Sequence, residues 1–159
     1  MTDYSPRVDD PIETTAMETS ARTLYGHETI LVIEDDAVAL RLFQEILAVQ
    51  GYDVRVAADA ESGLREIARA APAAVLLDLR LPLADGLAVL RALRAGKCAD
   101  LPVAIMTGDY FVDDRVVRDI EALGARVHFK PLFEDDLRQV VSGLLRHAHD
   151  PDQGRPGPM

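Results

Sequence analysis

The sequence has little of what would place a chain in a specialised class. Its 159 residues include one cysteine, Cys98, and no tryptophan. A single cysteine cannot form an internal disulfide, and no second cysteine or aligned histidine makes it a metal ligand or a catalytic thiol. No apolar run reaches the roughly 20 residues that cross a bilayer, and the N-terminus MTDYSPRVDD lacks the basic start and apolar centre of a signal peptide. We therefore expect a cytoplasmic protein that does not bind a membrane.

Basic residues are also scarce. Lys and Arg number 17 against 27 Asp and Glu, which gives a net charge of −10 and a pI near 4.7. Phosphate-binding surfaces need clustered cations, so nucleic acid is excluded as a partner. No G-x-G-x-x-G or Walker sequence follows the first apolar run, which excludes the common nucleotide-binding loops. The acidic balance favours a protein or a cation as the partner.

What the sequence does have is an alternation of apolar runs and helical patterns. The runs cover 29–33, 54–57, 75–78, 103–106 and 126–129. Between and after them, apolar residues recur at the spacing of an amphipathic helix, and Gly51 and Gly124 supply stops. On the third helix we expect Arg91 and Arg94 to face water. Strands that alternate with helices predict an α/β fold, a doubly wound five-stranded parallel sheet with helices on both faces.

The two ends of the chain differ in composition from the residues between them. Residues 1–27 are polar and acidic with no apolar period, and we expect a disordered arm there. The last helix is predicted over about 133–147, and the Pro- and Gly-rich residues 148–159 are predicted to form a disordered tail. The folded domain is therefore expected to span 28–147.

Charged and hydroxyl side chains stand where the predicted strands end. Glu34 and Asp35 follow the first strand, Asp78 ends the third, Thr107 follows the fourth and Lys130 follows the fifth. With the first strand central and the third, fourth and fifth to one side, these ends meet at one edge of the sheet. Carboxylates held together repel unless a divalent cation lies between them. An all-oxygen set favours Mg²⁺, with Mn²⁺ as an alternative, over zinc.

The acidic cluster leaves two alternatives open. Asp36 competes with Asp35 as a metal ligand. We prefer Glu34 and Asp35 because they directly follow the strand, which leaves Asp36 to cap the first helix. The other alternative is that the whole cluster only caps a helix and remains in solvent.

A carboxylate beside Mg²⁺, a hydroxyl and an ammonium meets the needs of phosphoryl transfer. In such a site the metal and Lys130 neutralise charge on the phosphoryl oxygens, and Thr107 donates a hydrogen bond to them. Asp78 then attacks phosphorus in line. The expected product is an aspartyl phosphate on Asp78.

Four motifs follow one another in the order and with the separations of a known family. They are LVIEDD at 31–36, LLDLRLPLADG at 76–86, IMTGD at 105–109 and HFKPL at 128–132. On these residues the chain resembles the receiver domains of two-component response regulators, from residue 28 to about 147. The resemblance implies a flavodoxin-like sheet with the strand order 2-1-3-4-5.

The resemblance also implies a role for each acidic residue of the cluster. Asp78 would be the phosphoacceptor and a metal ligand. Asp35 would bind Mg²⁺ directly, and Glu34 would act mainly through water. Arg80 would offer its backbone carbonyl to the metal.

The remaining implied roles fall on the fourth and fifth strands. Thr107 and Lys130 would contact the phosphoryl group, and the peptide bond between Lys130 and Pro131 is commonly cis in the family. An aromatic residue three positions before the lysine usually reports phosphorylation, but here that position is Val127. The candidates for a switch are therefore Thr107, Val127, His128 and Phe129.

A signalling function follows from the resemblance. A sensor or hybrid histidine kinase, or a histidine phosphotransfer protein, would donate the phosphoryl group, and a downstream protein would recognise the modified domain. The fourth helix, fifth strand and fifth helix are the usual readout surface; here they carry Arg115, Arg118 and Arg138 and could support a homodimer. Because no output domain follows the last helix, we expect a stand-alone, single-domain regulator or relay intermediate. It would not be an enzyme beyond its own phosphorylation and dephosphorylation.

Two other functions remain as alternatives. A Mg²⁺-dependent phosphohydrolase would need a second aspartate two residues after the nucleophile, where this chain has Arg80. The other is a receiver-shaped binding module that is never phosphorylated. Such a module has no need for the five side chains at the strand ends.

Overall fold

The computed structural model describes residues 28–149, in which strands and helices alternate. The strands are β1 (Thr29–Ile33), β2 (Asp53–Ala57), β3 (Ala74–Asp78), β4 (Val103–Thr107) and β5 (Arg126–Phe129). The helices are α1 (Ala37–Val49), α2 (Ala60–Arg69), α3 (Gly86–Ala95), α4 (Asp114–Ala122) and α5 (Glu134–His149). None of these helices is long and apolar enough to cross a membrane.

The predicted arm and most of the predicted tail lie outside the described residues. At the other boundary, α5 continues to residue 149, two residues beyond the expected end of the last helix. Residues 148 and 149, which the sequence pattern assigns to the tail, thus belong to the helix, because neither is a proline or a glycine that would stop it. The prediction for 1–27 and for the rest of 148–159 stays a prediction.

The five strands form one parallel sheet in the order β2-β1-β3-β4-β5, which confirms the predicted fold. Its register brings the strand ends into line. Ile33 pairs with Leu77, so Glu34 stands level with Asp78. Asp78 pairs with Met106, and Thr107 pairs with Phe129. The polar residues Glu34, Asp78 and Thr107 therefore stand level with the ends of the neighbouring strands, at the carboxyl edge of the sheet.

The core lies on both faces of the sheet. Successive strand residues point to opposite faces, so Ile33 and Leu77 pack under α2, α3 and α4, whereas Val32 and Leu76 pack under α1 and α5. All residues of β3 and β4 are buried. This burial is typical of central strands in a parallel sheet, which helices cover on both sides.

Aspartates cap four of the helices. Asp36, Asp59, Asp85 and Asp113 stand before α1, α2, α3 and α4, and each accepts a backbone N–H from the first turn. Asp36 accepts from Val38 and Ala39 at 2.9 Å, so its predicted capping role is confirmed. Such a cap stabilises a helix by about 1 kcal/mol relative to alanine.

The prediction that Arg94 faces water is wrong. Its Nε donates to the carbonyl of Leu123 at 2.7 Å, and its Nη1 donates to the carbonyls of Ala99 and Leu101 at 3.0 and 2.7 Å. Burial lowers the pKa of this guanidinium. Helical spacing could not predict this position of Arg94, because spacing does not show that nearby loop carbonyls are available to accept hydrogen bonds from it. Arg91 is exposed as expected and pairs with an aspartate of α4.

Candidate functional site

The end of β1 supplies two of the acidic groups. Glu34 is only 1% exposed and Asp35 is exposed. The Asp36 N–H donates to Glu34 Oε1 at 3.1 Å, which restrains the Glu34 carboxylate. One carboxylate oxygen from each of Glu34, Asp35 and Asp78 lies within 4.8 Å of the others. The structure thus brings together the three predicted acidic ligands.

Asp78 is held at the end of a fully buried strand. The Arg80 N–H donates to its Oδ1 at 3.1 Å, and Lys130 Nζ donates to its Oδ2 at 3.3 Å. The following loop folds back so closely that a Cβ on Gly86 would stand 2.5 Å from the Asp78 carbonyl oxygen. Only glycine therefore fits at the first residue of α3, and sequence reasoning did not detect this requirement.

Thr107 and Lys130 complete the group. Thr107 is fully buried, and its Oγ1 accepts the Asp109 N–H at 3.1 Å. The Lys130 N–H donates to the Thr107 carbonyl at 2.8 Å, while Lys130 Nζ bonds both Glu34 and Asp78. The Lys130–Pro131 peptide bond is cis.

The electrostatics of the site are dominated by crowded carboxylates. Burial raises the pKa of Glu34 to about 7, and the nearby Asp78 adds to this rise although the hydrogen bond from Lys130 opposes it. Burial alone would lower the pKa of Lys130, but its contacts with Glu34 and Asp78 outweigh burial and raise it. Lys130 bonds Glu34 and Asp78, and Asp35 adds a third carboxyl group to the cluster, so acidic groups outnumber the one ammonium. Carboxylate oxygens in this arrangement fit a small divalent cation such as Mg²⁺.

Two side chains link the loops that flank Asp78. Arg80 Nη2 bonds Asp109 Oδ2 at 2.6 Å, across the gap between the β3–α3 and β4–α4 loops. The Asp109 carboxylate also accepts the Phe111 N–H at 2.9 Å, and these bonds lower its pKa. No pattern in the sequence predicts this ion pair, because a contact across 29 residues leaves no periodic signal.

Tyr110, whose position the sequence pattern does not predict, lies beside the lysine. Its hydroxyl donates to the Lys130 carbonyl at 2.5 Å. Its ring stacks on that of Phe129, with the centroids 5.7 Å apart and the planes 9° from parallel. The β4–α4 loop is thereby attached to the end of β5.

Comparison with known proteins decides the family. A profile described as "Response regulator receiver domain" matches residues 30–142. The chain belongs to this family. The receiver domain is 35% identical over 117 residues to the transcriptional regulatory protein PrrA of Mycobacterium tuberculosis, a match that covers 74% of this chain and 49% of that protein. It is 38% identical over 122 residues to the probable transcriptional regulator ycf27 of Porphyridium aerugineum, covering 76% and 49%. The chain thus spans about half the length of the curated relatives it matches.

Solved structures agree with this assignment. A receiver domain protein from Methanospirillum hungatei, described as CheY-like, superposes with a TM-score of 0.73 at 24% identity, covering 79% of this chain and 99% of that one. A putative response regulator from Chloroflexus aurantiacus gives a TM-score of 0.69 at 27% identity, covering 76% and 99%. The first comparison shows the fold. The second shows similarity in both fold and sequence over almost the whole of the Chloroflexus aurantiacus chain.

The switch candidates of the receiver domain occupy different surroundings. Val127 is half-buried and packs against the core under α4. His128 lies on the α5 side beside Gln139 and Val140, and burial, with a smaller contribution from Arg126, lowers its pKa. Phe129 is exposed and stacked on Tyr110. Among Val127, His128 and Phe129, the last is the residue placed directly beside Lys130.

Proposed function

We propose that this receiver domain accepts a phosphoryl group on Asp78 from the phosphohistidine of a partner protein. The partner would be a sensor or hybrid histidine kinase or a histidine phosphotransfer protein. One observation carries the proposal: the nearly buried Asp78 carboxylate lies beside an acidic pair suited to a divalent cation and is bonded by the Lys130 ammonium, which also bonds Glu34. This is the arrangement that in-line phosphoryl transfer to a carboxylate requires.

Glu34, Asp35 and Asp78 would hold Mg²⁺, or Mn²⁺ in its place, together with the backbone carbonyl of Arg80. When bound, the cation supplies positive charge that offsets the charge of the phosphoryl oxygens. The close approach of the three carboxylates supports this assignment. The burial of Glu34 supports a role through water, because little of its side chain faces the open side of the site.

The transfer itself forms one bond and breaks another. An Asp78 carboxylate oxygen bonds to phosphorus while the bond from phosphorus to the histidine nitrogen breaks, and that nitrogen keeps the electron pair. Lys130 exchanges its contact with Asp78 for one with a phosphoryl oxygen. Thr107 already accepts the Asp109 N–H, so its hydroxyl hydrogen is available for donation to a second phosphoryl oxygen.

The resulting charge would be read by another protein or a second copy of the chain through α4, β5 and α5. On this surface Arg138 pairs within its own helix, with Glu134 at 3.1 Å and Asp135 at 3.4 Å. A partner would have to compete for it, as it would for any exposed pair. A cytoplasmic location and action as a stand-alone regulator remain predictions.

Turnover of external phosphate esters is not favoured at this site. A general acid would be needed two residues after Asp78, where Arg80 pairs instead with Asp109. We therefore propose that the chemistry is confined to phosphorylation and dephosphorylation of Asp78 itself.

The test is the intact mass after incubation with Mg²⁺ and acetyl phosphate. The expected result is a gain of one phosphoryl group that disappears in Asp78→Asn and when the metal is chelated. Asp100→Asn, which changes an exposed aspartate before β4 at the opposite edge of the sheet, is the matched control and should react as the wild type does. No gain by a folded wild-type protein that binds Mg²⁺ would favour the alternative of an unphosphorylated binding module.

A further inference from the structure

The backbone of Lys130 is bonded on both sides to one short segment. Its N–H donates to the carbonyl of Thr107, and its own carbonyl accepts the hydroxyl of Tyr110. The two partners are three residues apart at the end of β4 and in the loop that follows. The segment that presents the Thr107 hydroxyl to the site therefore also holds the main chain of the lysine.

Burial does little to fix this end of β5. The strand is four residues long, and both its first and its last residue are exposed. Phe129 is 44% exposed and Tyr110 is 65% exposed, so neither ring belongs to the core. The stack of Tyr110 on Phe129 restrains the residue before Lys130, and the Tyr110 hydroxyl bond restrains the carbonyl of Lys130 itself.

Phe111 shows that this arrangement is not general to exposed aromatics of the loop. It follows Tyr110 directly and is 94% exposed. Its backbone N–H donates to Asp109, and this bond does not involve the ring. Phe111 therefore provides a neighbouring exposed ring for comparison that lacks a hydroxyl and takes no part in the stack of Tyr110 on Phe129.

We propose that Tyr110 is a positioning residue for phosphoryl transfer: its hydroxyl bond to the Lys130 carbonyl, backed by its stack on Phe129, sets where the Lys130 ammonium stands against Asp78. This role rests on the proposed function, since it concerns the same reaction. The same bond connects the loop after Thr107 to Lys130, so that Thr107 and Lys130, which would both contact the phosphoryl group, are held together.

The first experiment compares phosphorylation rates with acetyl phosphate and saturating Mg²⁺. Tyr110→Phe keeps the ring and removes the hydroxyl, and we expect the rate to fall about threefold to tenfold, as the loss of one ordinary hydrogen bond implies. Tyr110→Leu should lower it further. The Mg²⁺ affinity should not change in either variant, because the acidic ligands are untouched, and Phe111→Leu should react as the wild type does.

A second set of variants, made in the Lys130→Met protein, distinguishes positioning of the lysine from general support of the fold. In Lys130→Met the nucleophile and the metal ligands remain, so a residual reaction can be measured. Adding Tyr110→Phe to this variant should cost no further rate, because Tyr110 acts through the lysine. An equal loss in both backgrounds, or a Tyr110→Phe rate equal to that of the wild type, would overturn the proposal.

A readout without a phosphodonor distinguishes this inference from the proposed function. The ¹⁵N signal of the Lys130 ammonium should shift or broaden in Tyr110→Phe and stay in place in Phe111→Leu. If the wild type takes up no phosphoryl group, the proposed function fails. The ammonium signal then still decides whether Tyr110 positions the lysine, and an unchanged signal in Tyr110→Phe refutes it.

Discussion

The strands that supply Asp78 and Lys130 differ in how the fold holds them. β3 lies between β1 and β4 and is buried at every residue. β5 is an edge strand with one neighbour, and no residue of it is fully buried. Asp78 therefore stands at the end of a strand that the core encloses, whereas Lys130 follows an edge strand and is bonded through its backbone to Thr107 and Tyr110. The two side chains that meet at the site thus stand on strands that differ in burial.

The largest expected difference between the two strands concerns stability. Leu76 of β3 is completely buried, and Leu76→Ala should lower the free energy of unfolding by about 2–5 kcal/mol. Val127 of β5 is half-buried, and Val127→Ala should cost about 1 kcal/mol. Urea denaturation of both variants measures the contrast. Equal losses would mean that β5 is held by the core as firmly as β3 is.

A second test acts directly on the loop after β3. In Gly86→Ala the new Cβ would meet the carbonyl oxygen of Asp78 at 2.5 Å and Leu79 Cα at 2.9 Å, so the backbone has to move. We expect a loss of about 1–3 kcal/mol in stability together with slower phosphorylation of Asp78.

Gly143 provides the matched control for that substitution. A Cβ there meets nothing within 4 Å, and the residue lies inside α5, so Gly143→Ala should stabilise the protein by about 0.5–1 kcal/mol. Thermal unfolding and intact mass measure both variants. A Gly86→Ala protein with the stability and reaction rate of the wild type would show that this loop is not held as tightly as its geometry indicates.

Leu83 is the exception on the β3 side. It has a φ of 68° and is fully exposed, so it combines backbone strain with no burial. Leu83→Gly should therefore raise the free energy of unfolding by about 0.5–1 kcal/mol, after allowance for the greater freedom of glycine in the unfolded chain. Leu83→Ala, which keeps the strain, should change stability little. A glycine variant less stable than the alanine variant would contradict this explanation.

The smallest expected effect is a pH dependence that comes from β5. Burial lowers the pKa of His128 below its usual 6.5, with a smaller contribution from Arg126, so folding disfavours the protonated form. Stability should be full above pH 6.5 and fall as the pH drops toward the lowered pKa. Asp136 of α5 lines the same groove as His128.

His128→Gln tests this dependence because glutamine does not titrate in this range. Urea denaturation above and below pH 6.5 should give a shallower loss of stability in acid for the variant than for the wild type. Identical slopes would place the pH dependence elsewhere in the molecule.

The sequence sufficed for the fold because its signals are local and repeated. Apolar runs alternate with helical spacing, and in a parallel sheet this alternation determines which strand ends share an edge. For that reason the sequence alone predicts that Asp78, Thr107 and Lys130 lie together. The signal for the cap at Asp36 is also local, because an acidic residue directly before an amphipathic pattern is enough to predict a helix cap.

What the sequence could not give are contacts between segments that meet only in the fold. Tyr110 reaches the Lys130 carbonyl across 20 residues, and Arg94 reaches the Leu123 carbonyl across 29. The need for glycine at Gly86 depends on how closely one loop returns to Asp78, which is a matter of distance and not of pattern. Such contacts determine how the site is held, although residue types alone indicate its chemistry.

The aspartate caps have a consequence for the rate at which partners arrive. Asp36, Asp59, Asp85 and Asp113 each follow a strand, so all four stand at the carboxyl edge of the sheet with the acidic ligands. Their combined field attracts metal cations and repels anions over about the 8–10 Å that salt leaves unscreened. Under the proposed phosphorylation of Asp78, small anionic phosphodonors would approach against a barrier that rising ionic strength lowers. A protein donor with basic residues around its phosphohistidine would instead be steered toward Asp78, so the same charges would favour a protein over a free metabolite.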